Sequence, residues 1–342
     1  MVSVLMTTYN KSFYLNLTLA AYVKQSYKEF EIVIVDDGST DDTKKVVDKY
    51  SALLNIKYLY QTNMGISKAK RKALENASYD YVILTDDDRM PCVNFIKKHK
   101  QNLDKEEKRV VIGKESLILS LFSKKVKFSF KDEFKLYDRF PELLHVSEKQ
   151  MFDEKDIDKD YTDVIRNYFL SDSNNGLILD VVERYGEQLN GFELAWSKAY
   201  GGNISFNKEF LMEPLLYDEN YKGYGIEDID FAYQLSLQGY KFVFDSEAVN
   251  YHQEHARGTG ENRDMFLNFD YFCNKYNGID ILMMKMDWYG KITLEEANTF
   301  CKILKNHKTE LAKSLLYEIN EEVWLMVGWT DSILMDVSEV QL

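Results

Sequence analysis

The sequence predicts an α/β fold: a doubly wound, mainly parallel sheet with a helical insertion and a C-terminal helical region. Three observations predict it. Short β-rich apolar runs alternate with amphipathic stretches through the first 113 residues. The runs are almost unbroken in Val, Ile, Leu and Tyr, as strands covered on both faces require. The stretches between them are each about long enough for a crossover helix.

Taken in order, "VSVLMTT" (2–8), "FEIVIVD" (30–36), "IKYLYQ" (56–61), "YVILT" (81–85) and "RVVIG" (109–113) are expected strands. Between them "YLNLTLAAYVKQS", "DTKKVVDKYSALL", "ISKAKRKALENA" and "CVNFIKKHKQNL" are expected helices. Residues 114–195 change character, being charged, aromatic and mostly helical in pattern, with "KQMFDEKDIDKDYTD" (149–163) as a solvated acidic connection. From 196 the strand-like "AYGGNISFN" leads to "GYGIEDIDFAYQLSLQG", a loop and a helix, and then to the strand "YKFVFDSEAVNYH". The remainder, 263–342, is helical in pattern, with Trp288, Trp324 and Trp329 as aromatic positions of an appendage or an oligomer surface.

The bulk numbers exclude some partners. With 56 acidic against 43 basic residues and a net charge of -13, a nucleic-acid backbone is not expected as the partner. Three widely spaced cysteines without a CxxC pairing suit a reducing cytoplasm and packed thiols. The opening residues lack the basic and apolar regions of a secretory leader, and no apolar run approaches the roughly 20 residues that cross a bilayer. A soluble cytoplasmic chain is expected, at most peripheral to the inner face of the membrane.

Ligands of such sheets bind beyond the carboxyl ends of the strands. Those ends carry "TTYN", "DDGSTDD", "TNMG" and "DDD". In "DDGSTDD", Asp and Gly build a turn and Ser39, Thr40 or Asp41 can cap the next helix, while Asp37 can accept the imide hydrogen of a uracil. Asp86, Asp87 and Asp88 exceed what capping needs: three adjacent carboxylates repel, so something positive must be held there. A hard divalent ion, Mn²⁺ or Mg²⁺, takes carboxylates and diphosphate oxygens together. Lys70 or Arg71, on a basic helix face, can touch a nucleotide or offset phosphate charge. No GxxxxGK[ST] loop is present.

Glu227, Asp228 and Asp230 open a helix, preceded by Gly-Tyr-Gly, whose Tyr224 is suited to stacking on a sugar; a carboxylate here can serve as general base. Phe231 and Leu235 are spaced to share one buried face. His252 and His255 follow the last strand, next to the flexible-looking "ARGTGENRD". They form either structural residues, a ligand beside a closing loop, or a small zinc site for which no third ligand stands at the usual spacing.

These segments, in this order, resemble a known family. "VSVLMTTYNKSFYL", "FEIVIVDDGSTDDT", "TNMGISKAKRKAL" and "YVILTDDDRMP" are similar to the nucleotide-binding half of family 2 inverting glycosyltransferases, which have the glycosyltransferase-A fold, a Rossmann-like doubly wound mixed sheet. "AYGGNISFNKEF" through "GYGIEDIDFAYQLSLQGYKFVFDSEAVNYHQE" resembles the acceptor motif of galactosyltransferase-like enzymes and bacterial chondroitin polymerase. The resemblance implies a nucleotide-binding half at 1–113, an insertion at 114–195, an acceptor-binding and catalytic half at 196–262 and a helical region at 263–342. It implies that Thr7, Tyr9, Asp37, Lys70, Asp86 and Asp87 hold the nucleotide and that Asp88 and His252 bind the metal. It also makes Asp228 the catalytic base and Glu227, with Tyr224, part of the acceptor site. Where the family often has Arg then Asn, this chain has Lys70 then Arg71.

The expected function is transfer of a sugar, by the resemblance N-acetylhexosamine or galactose, from a UDP-sugar to a hydroxyl of a glycan, glycolipid or protein, in polysaccharide or glycoconjugate synthesis. The alternative is a catalytically inactive scaffold of the same fold, with the C-terminal helices as its working or oligomer surface. A sugar-phosphate nucleotidyltransferase would carry a Gly-rich, Arg-containing loop after the first strand, and "TTYNKS" is not one.

Overall fold

The protein is seen in a computed structural model that describes residues 1–104, 107–126, 128, 130–173, 177–256, 261–276 and 278–306. It begins with β1 (Val2–Thr8), α1 (Ser12–Val23), β2 (Phe30–Asp36), α2 (Thr43–Tyr50), β3 (Ile56–Tyr60), α3 (Ile66–Glu75) and β4 (Tyr81–Asp86). β1 pairs in parallel with β2 and β4, and β2 with β3, so each connection is a helical crossover. All seven residues of β2 are buried, which is why its sequence shows no polar alternation.

After β4 come β5 (Arg89–Pro91), α4 (Phe95–Leu103) and β6 (Arg109–Ile118). β7 (Leu121–Ser123), α5 (Phe130–Arg139), β8 (Glu148–Gln150), α6 (Glu154–Tyr168), β9 (Phe169–Asp172) and α7 (Ile178–Tyr185) follow. Then come β10 (Asn203–Asn207), α8 (Glu227–Leu237), β11 (Lys241–Gln253), α9 (Glu261–Lys275), α10 (Ile279–Trp288) and α11 (Leu294–Asn306). The main sheet runs β3-β2-β1-β4-β10-β6-β11-β5, with β9 also on β6. It is mixed, because β10 is antiparallel to both β4 and β6 and β5 is antiparallel to β11.

Alternate strand residues supply two cores. Leu5, Val33, Val35 and Leu84 belong to the core shared with α3 and the helices α8–α11, whereas Val4, Met6, Ile32, Ile34 and Ile83 belong to the one shared with α1, α2, α4 and α6. Phe231 and Leu235, four apart on α8, are both fully buried, as their spacing predicts. Helices α9–α11 bury Phe269, Phe272, Leu282, Met283 and Cys301 in the core that α8 uses. Trp324 and Trp329 lie outside the described residues.

Three local expectations change. Among the described residues, 114–195 hold the α-helices α5, α6 and α7 but also the second half of β6 and the strands β7, β8 and β9. "KQMFDEKDIDKDYTD" is not a solvated connection: Ile157, Tyr161 and Val164, spaced four and three apart, bury one stripe of α6. Its acids cap that helix, with Asp153 and Asp156 forming a reciprocal capping box. The helix after the triple aspartate begins at Phe95, since β5 first pairs Arg89–Pro91 with β11.

Candidate active site

Two strand registers assemble the site. Asn203 of β10 lies opposite Thr85 of β4, which carries the turn before β10, Gly201-Gly202, up against the end of β4. A Cβ on Gly201 would collide with the Asp228 carboxylate, and one on Gly202 would stand 2.7 Å from Asp86 Oδ2 and collide with Arg89. Asp228 and Asp86, 142 residues apart in sequence by numbering, therefore rest on consecutive glycines. The second register sets His252 of β11 opposite Arg89 of β5, and Gln253 N donates to the Asp88 carbonyl at 2.9 Å. His252 is thereby held beside Asp88.

Around Asp88 the cation that the sequence demands is supplied from several places. Lys11 Nζ stands 2.5 Å from Asp88 Oδ2 and 3.7 Å from Asp87 Oδ1. His255 Nε2 lies 3.0 Å from the same Asp88 Oδ2 and 3.1 Å from Lys11 Nζ. His252 Nε2 is 3.7 Å from Asp88 Oδ1, an oxygen that is buried and makes no hydrogen bond. Arg89 donates from Nε to Asp86 Oδ2 at 2.9 Å and pairs through Nη1 with Glu115.

The charges sort accordingly. Burial opposes ionisation of all three aspartates. Lys11 and His252 nonetheless hold Asp88 well below an ordinary aspartate, and Arg89 and Lys70 hold Asp86 low. Asp87 has no such surplus: burial, with repulsion from Asp88, pushes it up to about 7 against the pull of Lys11. Like-charge repulsion within the triplet is thus relieved by cations at Asp86 and Asp88 and falls on Asp87, whose ionisation it opposes.

One ligand atom each from Asp88, His252 and His255 lies within 4.8 Å of the others. His255 Nε2 and Asp88 Oδ2 lie at hydrogen-bond distance from one another, a contact in which the imidazole can donate to the carboxylate. With the unpartnered Asp88 Oδ1, this arrangement fits a divalent ion. Asp88 is the third candidate ligand that the sequence spacing of the two histidines lacks.

On the other side of the glycine pair, Lys70 Nζ reaches Glu227 Oε1 at 2.9 Å and both oxygens of Asp228 at 2.7 Å. Glu227 is buried, and the Tyr217 hydroxyl stands 3.4 Å from Asp228 Oδ1. Burial pushes Asp228 up to about 6 against the pull of Lys70, while the two carboxylates hold Lys70 well above an ordinary lysine. Ile226, the residue before Glu227, has φ 75°, a left-handed conformation that a β-branched residue adopts only under constraint.

The loops at the other strand ends are laced together. Asn10 Oδ1 accepts from Thr40 N at 2.8 Å, and Asp41 accepts from Ser12 N at 2.9 Å and Thr43 N at 3.0 Å, joining the starts of α1 and α2. Of the capping candidates it is Asp41 that receives the helix amide. Asp37 is buried and accepts from Gln61, Met64 N and Gly65 N, fastening the loop after β3 and leaving about one of its roughly four lone-pair sites. Thr7 lies opposite Asp86 in the β1–β4 register, and Tyr9 is exposed at the loop. Tyr224 is 44% exposed between Gly223 and Gly225, whose loop is held by Asn268. Arg71 points away, onto Glu75 and Glu219. Residues 257–260 of "ARGTGENRD" lie outside the described residues.

Residues 3–138 match the family model described as Glycosyl transferase family 2. That segment, the first part of the chain, is similar to a family 2 glycosyltransferase domain. The chain is 26% identical over 335 residues to YfnE, an uncharacterised glycosyltransferase of Bacillus subtilis, covering 93% of this chain and 82% of that protein. It is also 26% identical to Escherichia coli chondroitin synthase over 83% of this chain but 40% of the synthase, so it spans less than half of that relative. Among solved structures, Staphylococcus aureus TarS 1–349 in complex with UDP aligns with a TM-score of 0.53 at 17% identity, over 98% of this chain and 94% of that one. The UDP-GlcNAc complex of TarS aligns with a TM-score of 0.51 at 17% identity, over 80% of this chain and 66% of that one. The fold is that of the glycosyltransferase-A enzymes, and the enzyme class is glycosyltransferase. Among the described residues no helix is long and apolar enough to cross a membrane.

Lys11, His255, Arg89 and Glu115 are the site residues that sequence reasoning did not place. Arg89 was within reach, since it directly follows the acids whose repulsion it offsets. His255 stands out in the sequence only together with His252, and Lys11 carries no motif beyond its position after "TTYN".

Proposed function

We propose that the chain is a metal-dependent, inverting glycosyltransferase acting from a UDP-sugar onto a hydroxyl of a glycan, glycolipid or protein. The observation that supports this most is the seating of Asp228 and Asp86 on Gly201 and Gly202. A general base and the donor-side acids then open onto one cleft at the carboxyl edge of the sheet. The TarS complexes, whose fold the chain shares, support UDP as the carrier.

In this reading the acceptor hydroxyl gives its proton to Asp228 as its oxygen attacks the anomeric carbon, and the bond from that carbon to the diphosphate breaks. One displacement from the face opposite the leaving group inverts the centre. Lys70 keeps Asp228 ionised and aimed, and Glu227 acts through Lys70, which it holds. Tyr224 offers a ring to the acceptor sugar. Lys70 and Glu227, expected at the nucleotide and at the acceptor, instead pair with one another beside the base, and Thr7, Tyr9, Asp37, Asp86 and Asp87 form the nucleotide side. Asp88, His252 and His255 would hold the ion; two imidazoles beside one carboxylate favour Mn²⁺ over Mg²⁺. A bound ion would supply positive charge to the departing diphosphate.

The test is UDP release from UDP-N-acetylglucosamine, UDP-N-acetylgalactosamine, UDP-glucose and UDP-galactose with Mn²⁺. Release from at least one, stopped by EDTA and restored by Mn²⁺, is expected. Release that EDTA leaves untouched removes the metal from the reading, and no release from any donor returns the chain to the scaffold alternative.

A further inference from the structure

Lys11 has no part in the proposed chemistry, yet its ammonium lies among the groups assigned to the metal: 2.5 Å from Asp88 Oδ2, 3.7 Å from Asp87 Oδ1 and 3.1 Å from His255 Nε2. The geometry points to Lys11 as a built-in rival of the divalent cation, exchanging Asp88 for the diphosphate of the donor as the ion binds. This rests on the metal reading above and adds a residue to it.

Three features carry it. First, the contacts overlap. The ammonium and an ion bound by Asp88 and His255 would share one carboxylate, whose Oδ2 the ammonium holds and whose Oδ1 is open, and would meet at the same imidazole nitrogen. Their charges would then stand about 4 Å apart or less inside a largely buried site, where repulsion is weakly screened. Second, the root of Lys11 is fixed and its tip is not. Its carbonyl accepts from Leu15 N at 3.0 Å and the next residue is tied to Asp41, but its side chain is 31% exposed on a flexible stem. Third, Lys11 belongs to the β1–α1 loop that also carries Tyr9, on the nucleotide side of the cleft. An ammonium released from Asp88 stays on the nucleotide side of the cleft, where it could pair with an anionic group of the donor. With an ion and a diphosphate both bound, Asp88 would pair with the ion and Lys11 with a phosphate oxygen.

Mn²⁺ binding to the full chain without nucleotide, followed by the loss of the free-ion electron paramagnetic resonance signal, tests this. Lys11→Met is expected to bind Mn²⁺ about tenfold more tightly than the unaltered chain, because a competing charge is gone. UDP is expected to bind Lys11→Met more weakly, with uridine binding unchanged. Lys11→Gln, which keeps a polar tip, should move both affinities in the same directions and serves if Lys11→Met does not fold. Equal or weaker Mn²⁺ binding in the folded variants overturns the rivalry while leaving the metal site in place. Absence of Mn²⁺ binding in every form, with UDP present or absent, overturns the metal reading and this inference with it.

Discussion

Lys70 Nζ lies 2.7 Å from each oxygen of Asp228, so the proposed base is gripped symmetrically by a buried ammonium. Asp228 is pushed up to about 6 by burial against that grip, and it must be ionised to accept a proton. The rate should therefore rise with pH through about 6 and level off above it. Asp228→Asn should lower kcat by about 10² to 10⁴-fold while leaving UDP affinity nearly unchanged. Calorimetric titration with UDP beside a turnover assay separates the two. Loss of UDP binding in this variant would assign Asp228 to the donor instead.

Lys70→Met removes the group that pulls Asp228 down, so the acidic limb of the pH–rate profile should move to higher pH. The variant also leaves two carboxylates in a buried site without their cation, which typically costs about 3 to 5 kcal/mol. A lowered denaturation midpoint together with a shifted limb is expected. An unmoved limb would mean that Lys70 does not set the ionisation of Asp228.

Much of this site was legible because strand ends are legible. The run into Asp86–Asp88 and the pattern before Glu227 each announce a ligand-binding edge, and like charges in sequence announce a missing cation. What could not be read is register. Nothing local says that β10 enters antiparallel beside β4, yet that pairing brings Gly201-Gly202, Asp228 and Asp86 together. Nothing local says that Arg89–Pro91 pairs with Asn250–His252, yet that pairing brings Asp88 beside the histidine pair. Lys70 shows the same limit: its helix face was predicted, but its partners 157 and 158 residues away were not.

The two imidazoles should both matter to the ion. His252→Ala and His255→Ala should each weaken Mn²⁺ by at least the roughly 10- to 100-fold typical of losing even an outer partner of a metal site. Atomic absorption after equilibrium dialysis measures it. An unaffected His255→Ala would reduce the site to Asp88 and His252, as the sequence alone proposed.

His99 offers a test of the fold apart from the site. It is fully buried between α4 and β10, with its ring nitrogens 2.8 Å from Ser205 Oγ and 2.9 Å from Asn203 Oδ1. Burial lowers it to about 4, whereas an unfolded histidine titrates near 6.5. Between those values the unfolded chain binds the extra proton, so this contribution is complete above about 6.5 and is lost as pH falls towards 4. The whole effect is about 3 kcal/mol. Urea midpoints at pH 7 and pH 4.5 should differ less in His99→Gln than in the unaltered chain.

The glycine pair gives the sharpest prediction about geometry. Gly201 has no room for a methyl group because the Asp228 carboxylate occupies the place, and Gly202 is closed off by Asp86 and Arg89. Gly201→Ala must displace Asp228, and a displacement near 1 Å at a reacting group costs about 10²-fold in rate. Its effect should fall on kcat, because the acceptor-side base moves while the donor side stays. Gly202→Ala, pressing on Asp86, should instead raise the KM for the UDP-sugar. Steady-state kinetics of the two variants distinguish these outcomes, and an equal loss in both parameters for both variants would contradict the division of the cleft into a base side and a donor side.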